Sequence, residues 1–329
     1  MPRTSSYVFD VRFWDVDHGS AAYLRVGSKD VVLDCGANTQ FSPLRWLNDS
    51  YYGLNTIDYL IISHPHQDHI ADLDVMKELE LLSSDTLLQR PKDATELVEE
   101  NLDEAYEKGM EDYIEDAEFY LNRLDEFDTT PDLFPSNPEW ALDNPYTTEA
   151  RTDGGIPDQG ATIHNFSADD IVGNDNYEKL NNLSRLTVFN SYGFTMVSAG
   201  DILQGGINQI KEDEEAMAAI SDADVLVAPH HGRDSSFDSE FVRHINPDLV
   251  IFSDKTAEHT VSGKYGNLAN GAAVENEQSG ETRERFVVST NSDGRIRIQA
   301  NNHSDWTASV YGRDYASEKA ASKRYKNSD

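Results

Sequence analysis

The chain has 329 residues, 38% of them hydrophobic, and its 60 acidic against 27 basic residues give a formal net charge of −33. Its single cysteine excludes a disulfide framework, and its apolar runs are far shorter than the roughly 20 residues of a membrane-spanning helix. Such a charge destabilises a compact protein in dilute salt by self-repulsion, whereas at molar salt the Debye length is about 3 Å and the repulsion largely disappears.

The charge therefore predicts a halophilic protein in the cytoplasm of a cell with a high-salt interior. The alternative interpretation is an acidic surface that binds a partner. The first residues lack the apolar core of a signal peptide, and a strand is expected to begin by Tyr7. We therefore expect neither export nor membrane attachment.

Four apolar strand candidates are each followed by polar residues suited to chemistry. In chain order they are Val31–Leu33 with Asp34, Tyr59–Ile62 with Ser63–His69, Thr195–Gly200 with Asp201, and Asp224–Pro229 with His230 and His231. Open α/β layers build their sites at the C-terminal ends of strands. We therefore expect these four groups of polar residues to meet in one place.

The run from Ser63 to His69 is the densest group of candidate ligands, with three histidines and one aspartate. On an extended backbone His64 and His66 point the same way and can bind one metal ion. A helix that begins after them would carry Asp68 and His69 to a second position nearby. Because Zn²⁺ and Mn²⁺ accept imidazole and carboxylate ligands together, the run predicts a site for two divalent ions about 3.5–4 Å apart.

A helical insertion is predicted between the histidine run and Asp201. Apolar residues recur at helical spacing from Leu97 to Phe127, with Glu and Asp between them, which predicts an amphipathic helix or a helical pair. A proline-rich loop is expected to follow at 131–145. The helical segment is either a lid near the mouth of the site or a surface hairpin packed on the domain.

The motifs resemble those of the metallo-β-lactamase-fold hydrolases. The motifs that carry this resemblance are Asp34-Cys35-Gly36, His64-x-His66-x-Asp68-His69, Gly200-Asp201 and His230-His231-Gly232. Three further segments are similar to the hydrolase domain of the ComEC competence protein family. They are Phe13–Ala21, similar to its opening "DVGQGDA" strand, Asn181–Ser184, similar to its "NNxS", and Ser289–Ile296, similar to its closing hairpin.

The resemblance implies an α/β fold, namely an αββα four-layer sandwich with a helical insertion. We expect a single domain over residues 1–315, with the acidic helical insertion at about 83–150 and a polar tail at 316–329. Asp17 and His18 stand where the family usually has Gly and Gln.

In the site that these motifs imply, His64 and His66 hold the first metal, Asp68 and His69 hold the second, and Asp201 bridges both. Asp68 is also expected to orient the attacking hydroxide. The third histidine of the first metal site is missing from the sequence. Asn181 or Asn182 is expected to face that metal, directly or through water.

Chelation alone does not choose between His230 and His231, but adjacent residues at a strand end project to different sides. We expect His231 to complete the second metal site. His230 is then expected to face the substrate, where it donates a proton to a leaving oxygen or stabilises a phosphoryl oxygen. Asp34 is expected to support a ligand histidine from behind, where such carboxylates are common.

Two divalent ions, Zn²⁺ or Mn²⁺, and a metal-bound hydroxide as nucleophile indicate a hydrolase. The resemblance to ComEC favours a phosphodiesterase or nuclease, with a phosphodiester as substrate and DNA as one candidate. The alternative is a metal-dependent hydrolase of C–O or C–N bonds, of the lactonase, thioesterase or β-lactamase type. A third interpretation is a non-catalytic regulatory module with a structural metal.

Basic residues, on which phosphate binding normally depends, are sparse. Those in the half of the chain that carries the site motifs are Arg185, Arg233, Lys255, Lys264, Arg283 and Arg285. They form a positive rim or else balance nearby acids. Arg233 and Tyr265 are the candidates for substrate contacts, although a tyrosine at the edge of the core is the alternative for Tyr265. The family's "YGHP" is Tyr265-Gly266-Asn267 here, and His259 lies nearby without aligning to its histidine.

Overall fold

The structure is a computed structural model that describes residues 8–26, 29–49, 53–91, 94–124, 161–168, 170–253 and 260–312. Its strands are β1 (Phe9–Phe13), β2 (Ala21–Val26), β3 (Lys29–Cys35), β4 (Tyr59–Ile61), β5 (Leu87–Gln89), β6 (Ala161–Phe166), β7 (Leu186–Ser191), β8 (Phe194–Ser198), β9 (Val225–Val227), β10 (Leu249–Phe252), β11 (Ala272–Asn276), β12 (Glu281–Arg285), β13 (Val287–Ser289), β14 (Ile296–Asn302) and β15 (Asp305–Val310).

Its α-helices are mostly short, and α4 is the longest of those described. They are α1 (Pro43–Asp49), α2 (Gln67–Ile70), α3 (Leu73–Glu78), α4 (Thr95–Lys108), α5 (Glu111–Glu118), α6 (Asn176–Asn182), α7 (Gln204–Ile210), α8 (Glu214–Ile220), α9 (Ser239–Ile245), α10 (Ser262–Gly266) and α11 (Thr290–Asp293). Within the described ranges no helix has the length and apolar composition needed to cross a bilayer.

The strands form two mixed sheets. Their orders are β12-β11-β15-β14-β1-β2-β3-β4-β5 in the larger sheet and β13-β10-β9-β8-β7-β6 in the smaller one. Strands β3, β4 and β5 run parallel, and so do β8, β9, β10 and β13. The residues that follow neighbouring parallel strands therefore emerge side by side, because Leu33 pairs with Ile61 and Ser198 pairs with Val227.

The inner faces of the two sheets enclose one hydrophobic layer. Phe9, Val11 and Phe13 alternate along β1 and all belong to this layer. The rings of Phe9 in the larger sheet and Phe194 in the smaller sheet lie 5.3 Å apart. Burial of apolar area between the sheets is the main force that holds them together.

Helices cover the outer face of each sheet. Helices α1, α3, α4 and α5 share one outer core, which includes Leu44 and Met76. Helices α7, α8 and α9 share the other, which includes Ile207 and Phe241. The layers therefore follow the order helix, sheet, sheet, helix, and the predicted αββα four-layer sandwich is confirmed.

The predicted helical pair is present as α4 and α5. Helix α4 ends at Lys108 and is capped by Gly109, whose φ of 67° is a conformation that glycine adopts without strain. Leu97 and Tyr113 of the pair are buried in the outer core, whereas Tyr106 and Met110 near the turn are exposed. This packing agrees with the surface-hairpin interpretation. The end of the apolar pattern, the proline-rich segment and the polar tail lie outside the described residues.

The opening motif is a loop and not the predicted strand. Strand β1 ends at Phe13 and β2 begins at Ala21, so the residues between them connect the two strands. Asp17 has φ 65° and Gly19 has φ 135°, and these positive values break the extended conformation.

The closing segment was expected to be a hairpin, and this prediction is wrong. Strand β13 ends at Ser289 in the smaller sheet, whereas β14 begins at Ile296 in the larger sheet. The single turn of α11 and Gly294, with φ 74°, lie between them. The segment therefore crosses from one sheet to the other and does not pair with itself.

Candidate metal centre

The four predicted groups of polar residues meet at one edge of the sandwich. Asp34 lies at the end of β3 and the histidine run follows β4 in the larger sheet, while Asp201 follows β8 and the His230-His231 pair follows β9 in the smaller sheet. The parallel arrangement within each sheet brings each pair of ends together. The sequence expectation that these groups converge is confirmed.

His64 and His66 form the first group of donors. The backbone between β4 and α2 is extended up to His66, and α2 begins at Gln67. His64 Nε2 and His66 Nδ1 lie 2.9 Å apart, so both side chains point to the same place. Burial lowers the pKa of both imidazoles, which favours the neutral form that binds metal.

Asp68, His69, Asp201 and His231 form the second group. One ligand atom from each of them lies within 4.8 Å of the others. Asp201 Oδ1 is 3.3 Å from His69 Nε2, and its Oδ2 is 3.2 Å from His231 Nε2. Asp201 Oδ2 also lies 4.0 Å from His64 Nε2. The carboxylate of Asp201 therefore stands between the two groups, where it was predicted to bridge.

The chemistry of this second group fits a divalent cation. His69 Nε2 and His231 Nε2 are buried, and within the described residues neither makes a well-directed hydrogen bond. Burial alone would lower the pKa of His231, but the carboxylates of Asp201 and Asp68 outweigh it and raise the pKa to about 10. The buried carboxylate of Asp201 and the partly buried one of Asp68 thus require positive charge between them, which a divalent ion bound to neutral imidazoles would supply.

Asp34 holds His69 from behind. Its Oδ2 is 2.8 Å from His69 Nδ1, and its Oδ1 accepts a hydrogen bond from the backbone N–H of Ser63 at 2.7 Å. The positive φ of Asp34, 56°, turns the carboxylate at the end of β3 towards this ring. Such a contact fixes the ring so that Nε2 faces the donor group, in keeping with the supporting role predicted for Asp34.

His230 and His231 diverge because both have left-handed backbone conformations, with φ 49° and 58°. His231 faces Asp201. His230 Nδ1 lies 3.0 Å from Ser235 Oγ, and its Nε2 lies 3.1 Å from the hydroxyl of Tyr177. Gly232 completes the turn with φ 80°, where an added Cβ would lie 2.7 Å from the ring of Phe252.

The charge state of His230 limits what it can do. Burial lowers its pKa to about 4, with Asp201 opposing this shift and the positive charges of His231 and Arg233 reinforcing it. A neutral imidazole at pH 7 is better suited to hydrogen bonding than to donating a proton. Of the two roles predicted for His230, this favours the stabilisation of a phosphoryl oxygen.

The two candidate asparagines have different roles. Asn181 is fully buried and its amide lies against His66 and Tyr177, beside the first group of donors. Asn182 is used elsewhere, because its Oδ1 accepts hydrogen bonds from the backbone N–H groups of Leu203 and Gly206 at the start of α7. The prediction that Asn182 faces the first metal is therefore wrong.

Two residues beside the donor groups were missed as candidates. Tyr177 on α6 stacks on His66, with ring centroids 4.7 Å apart and planes 16° apart. His18 lies with its Nε2 3.3 Å from Asp68 Oδ2 and its ring centroid 4.7 Å from that of His231. The departure of His18 from the family pattern was the only signal in the sequence, and nothing local marked Tyr177.

The loop that carries His18 is clamped onto the backbone of Asp68. The N–H of Ser20 donates to the carbonyl oxygen of Asp68 at 3.2 Å. A Cβ at Gly19 would lie 2.3 Å from that same oxygen, so only glycine allows the loop to approach this closely. The hydroxyl of Ser253 donates to the carbonyl of Gly19 at 2.5 Å from the other side.

Tyr265 does not contact the site. It is fully buried, and its ring packs edge-on against Phe237 and Phe252 in the outer core of the smaller sheet. The prediction that Tyr265 binds substrate is therefore wrong, and the alternative of a core residue is right. Hydrophobic burial between α9, α10 and β10 accounts for its place.

The predicted basic rim is largely neutralised. The contacts that occupy its members are Lys264 with Asp234, Arg283 with Glu281, Arg285 with Asp293, and Arg185 with the carbonyl oxygen of Arg90. Arg233 differs from these residues because it lies beside the second group of donors, with its Nη2 3.4 Å from His18 Nε2. Lys255 and His259 lie outside the described residues.

Comparisons with known proteins agree with the motifs. The family model described as the metallo-beta-lactamase superfamily matches residues 14–80. No curated protein matches the chain. Among solved structures, the metallo-beta-lactamase fold protein YhfI from Bacillus subtilis is 12% identical, with 74% of this chain and 85% of that chain covered and a TM-score of 0.38.

Two further solved structures are similar at comparable levels. A metallo hydrolase from Ignicoccus hospitalis is 13% identical, with 84% of this chain and 98% of that chain covered and a TM-score of 0.38. The short form of human tRNase Z is 15% identical, with 74% and 92% covered and a TM-score of 0.39. The match over residues 14–80, the four-layer fold and the convergent His and Asp donors agree that the chain has the metallo-β-lactamase fold and a candidate metal centre at the edge of its sandwich.

Proposed function

We propose that the protein is a two-metal phosphodiesterase that uses Zn²⁺ or Mn²⁺. The observation that carries this proposal is the position of Asp201, whose Oδ2 lies 3.2 Å from His231 Nε2 and 4.0 Å from His64 Nε2. His64 and His66 would hold one ion, and Asp68, His69 and His231 would hold the other, with Asp201 shared. Bound ions would supply Lewis acidity and an activated water.

The chain's own residues prepare the site for this chemistry. Asp34 contacts His69 and would orient its ring. Asp68, whose Oδ2 lies 3.3 Å from His231 Nε2, would orient the attacking water. His230 is held between Ser235 and Tyr177, from where its imidazole can reach an oxygen of the substrate. These groups are buried or partly buried, which strengthens each electrostatic contact.

A phosphodiester is favoured over other esters by the cation beside the donors. The guanidinium of Arg233 lies close to His18, and a guanidinium can donate two parallel hydrogen bonds to two oxygens of one phosphate. The resemblance of Phe13–Ala21 and Asn181–Ser184 to the ComEC hydrolase domain supports the same class.

The experiment is hydrolysis of bis-p-nitrophenyl phosphate by protein reconstituted with Zn²⁺ or Mn²⁺ in molar KCl. We expect turnover that a chelator abolishes and added metal restores. Lactone, thioester and β-lactam substrates are assayed beside it. Hydrolysis of one of these without hydrolysis of any phosphodiester would contradict the proposal.

We also propose that the protein works at high salt, because its net charge of −33 is large for 329 residues. The melting temperature should climb steeply between low and molar KCl as the self-repulsion is screened. A melting temperature that stays flat over this range would instead favour an acidic surface that binds a partner.

A further inference from the structure

Building on the proposed phosphodiesterase activity, we propose that the substrate is a compact nucleotide diester. Its phosphate is held beside Arg233 and its base stacks on Tyr177. The substrate is then a short diester and not a long nucleic acid strand.

Tyr177 provides a flat aromatic surface at the mouth of the site. One face of its ring is stacked on His66, at 4.7 Å between centroids, while 48% of the residue is exposed. The exposed part therefore includes the face that points away from His66. Stacking on an aromatic ring is the usual way in which proteins hold a base without reading its sequence.

The start of α6 is held firmly, so this surface is preformed. The carboxylate of Asp175 accepts a hydrogen bond from the N–H of Glu178 at 2.9 Å, and the side chain of Asn176 donates to Glu100 of α4 at 2.6 Å. The hydroxyl of Tyr177 is tied to His230 at 3.1 Å. A preformed ring loses little conformational entropy when a base stacks on it.

Arg233 completes the recognition from the other side. Its backbone N–H donates to the carbonyl oxygen of His230 at 3.1 Å, which ties it to the turn that carries the site histidines. Its guanidinium lies near His18, and its charge acts on both Tyr177 and His230. A phosphate at the donor groups is thus flanked by a guanidinium and by an aromatic ring.

The surface beyond this mouth offers little to a long polyanion. Tight binding of a nucleic acid backbone depends on releasing counterions through Lys and Arg. The basic residues that ion pairs with Asp or Glu already occupy include Lys211, Lys264, Arg283 and Arg285. At low salt the net charge of −33 repels a polyanion, and at molar salt counterion release contributes little. Contacts beyond one or two nucleotides therefore add little affinity.

Two chromogenic diesters with the same leaving group test the proposal, namely thymidine 5′-(p-nitrophenyl phosphate) and methyl p-nitrophenyl phosphate. They differ only in the group that remains on the phosphate. Tyr177→Ala should lower kcat/KM for the thymidine ester by about 5- to 150-fold more than for the methyl ester, because loss of the contact to His230 affects both esters alike whereas loss of the stacked base affects only the first. Tyr177→Phe should keep the preference for the thymidine ester because it keeps the ring.

Matched controls separate stacking from other effects. Tyr106→Ala removes an exposed tyrosine from α4 and should leave kcat/KM unchanged for both esters. Arg233→Ala should lower kcat/KM for both esters alike, whereas Arg283→Ala, which removes a paired surface arginine, should not. Metal content is measured for every variant, so that loss of the contact between Tyr177 and His66 is not mistaken for loss of stacking.

Inhibition by oligonucleotides of different length is the last part of the test. In molar KCl, and with concentrations counted per phosphodiester linkage, a strand of 20 thymidine nucleotides should inhibit no more than about threefold better than a dinucleotide. Inhibition tenfold better or more would overturn the inference in favour of an extended nucleic acid groove. An equal loss for both esters in Tyr177→Ala with full metal content would also overturn it, while the phosphodiesterase assignment would stand. If the metal-loaded protein hydrolyses neither ester, both proposals fall.

Discussion

Two clusters of Asp and His lie at opposite ends of the same two strands, β8 and β9. At the C-terminal ends, Asp201 meets His69 and His231. At the N-terminal ends, Asp224 Oδ1 lies 2.6 Å from His303 Nδ1, and its Oδ2 accepts a hydrogen bond from the N–H of Thr195 at 2.7 Å. Both carboxylates are buried, and both have histidine partners.

The clusters differ in whether the protein itself satisfies them. Asp224 has a backbone partner and a side-chain partner, and His303 lies at the surface. This pair therefore links neighbouring strands and has a structural role. The other cluster gathers several ring nitrogens around two carboxylates without well-directed hydrogen bonds to His69 Nε2 or His231 Nε2 within the described residues. The structural pair and the candidate metal centre therefore consist of the same residue types and are both buried. What distinguishes the candidate metal centre is that ligand atoms without well-directed hydrogen bonds in the described part of the chain point to one place.

The largest expected effect comes from the same substitution made in both clusters. Asp201→Asn should lower phosphodiester turnover on the order of 10³-fold, because a shared ligand serves both ions and several kcal/mol of their stabilisation is lost. Asp224→Asn should leave turnover nearly intact and lower the free energy of unfolding by about 1–3 kcal/mol, through weakened buried hydrogen bonds. Kinetics and denaturant unfolding of both variants are the measurements. Equal losses of activity would remove the distinction between the clusters.

The neighbouring histidines His230 and His231 are expected to differ in role within the candidate metal centre. His231→Ala should lose the second metal and nearly all turnover, because its Nε2 contacts both Asp68 and Asp201. His230→Ala should keep both metals and lose roughly 10²–10³-fold in rate, the usual loss when one hydrogen-bond donor to a developing negative oxygen is removed. Metal stoichiometry is measured beside hydrolysis. A metal lost in His230→Ala but kept in His231→Ala would reverse the two roles.

A smaller effect is expected from substitution of His18. Its Nε2 lies 3.3 Å from Asp68 Oδ2, and we infer that it holds this carboxylate in position. His18→Ala should weaken the second metal site roughly tenfold, in the range found for residues that support metal ligands. His18→Gln should recover much of this affinity, because its amide can donate a hydrogen bond to the same oxygen. Competition with a chelator measures the affinity, and His303→Ala is the matched control. Equal affinities in His18→Ala and the wild type would exclude the positioning role.

The smallest effect concerns pH at the structural pair. Burial raises the pKa of Asp224 in the folded state, against the opposing effects of Thr195 and His303. Between the unfolded pKa of about 3.9 and this raised value, the folded state binds the proton more tightly, so the contribution of Asp224 to stability is largest below about pH 4 and falls as pH rises. The difference in melting temperature between the wild type and Asp224→Asn should therefore shrink with rising pH. A difference that grows with pH would contradict this assignment.

The sequence alone predicts those parts of the site whose residues lie close together in the chain. The spacing of His64, His66, Asp68 and His69 predicts two donor groups because an extended segment followed by a helix determines where the side chains go. The positions of Asp34, Asp201 and His231 followed from the rule that strands end at the site.

Contacts between distant residues were beyond the reach of local patterns. His18 meets Arg233 across 215 positions of the chain, which the packing of the two sheets brings together. Tyr177 meets His230 across 53 positions, and the order of strands within the smaller sheet brings α6 to the end of β9. Tyr265 was misassigned because its motif does not tell which way the side chain points. The closing segment was taken as a hairpin because strand signals do not tell to which sheet a strand belongs.

The number of metal ions bound per chain depends most directly on the shared carboxylate of Asp201. Protein reconstituted with Zn²⁺ or Mn²⁺, freed of loosely bound ions and analysed for elements, should contain close to two ions per chain. Asp201→Asn should lose occupancy at both positions, whereas Asp224→Asn should still contain close to two. Absence of any transition metal after reconstitution, or full occupancy in Asp201→Asn, would contradict the account of a centre built around a shared carboxylate.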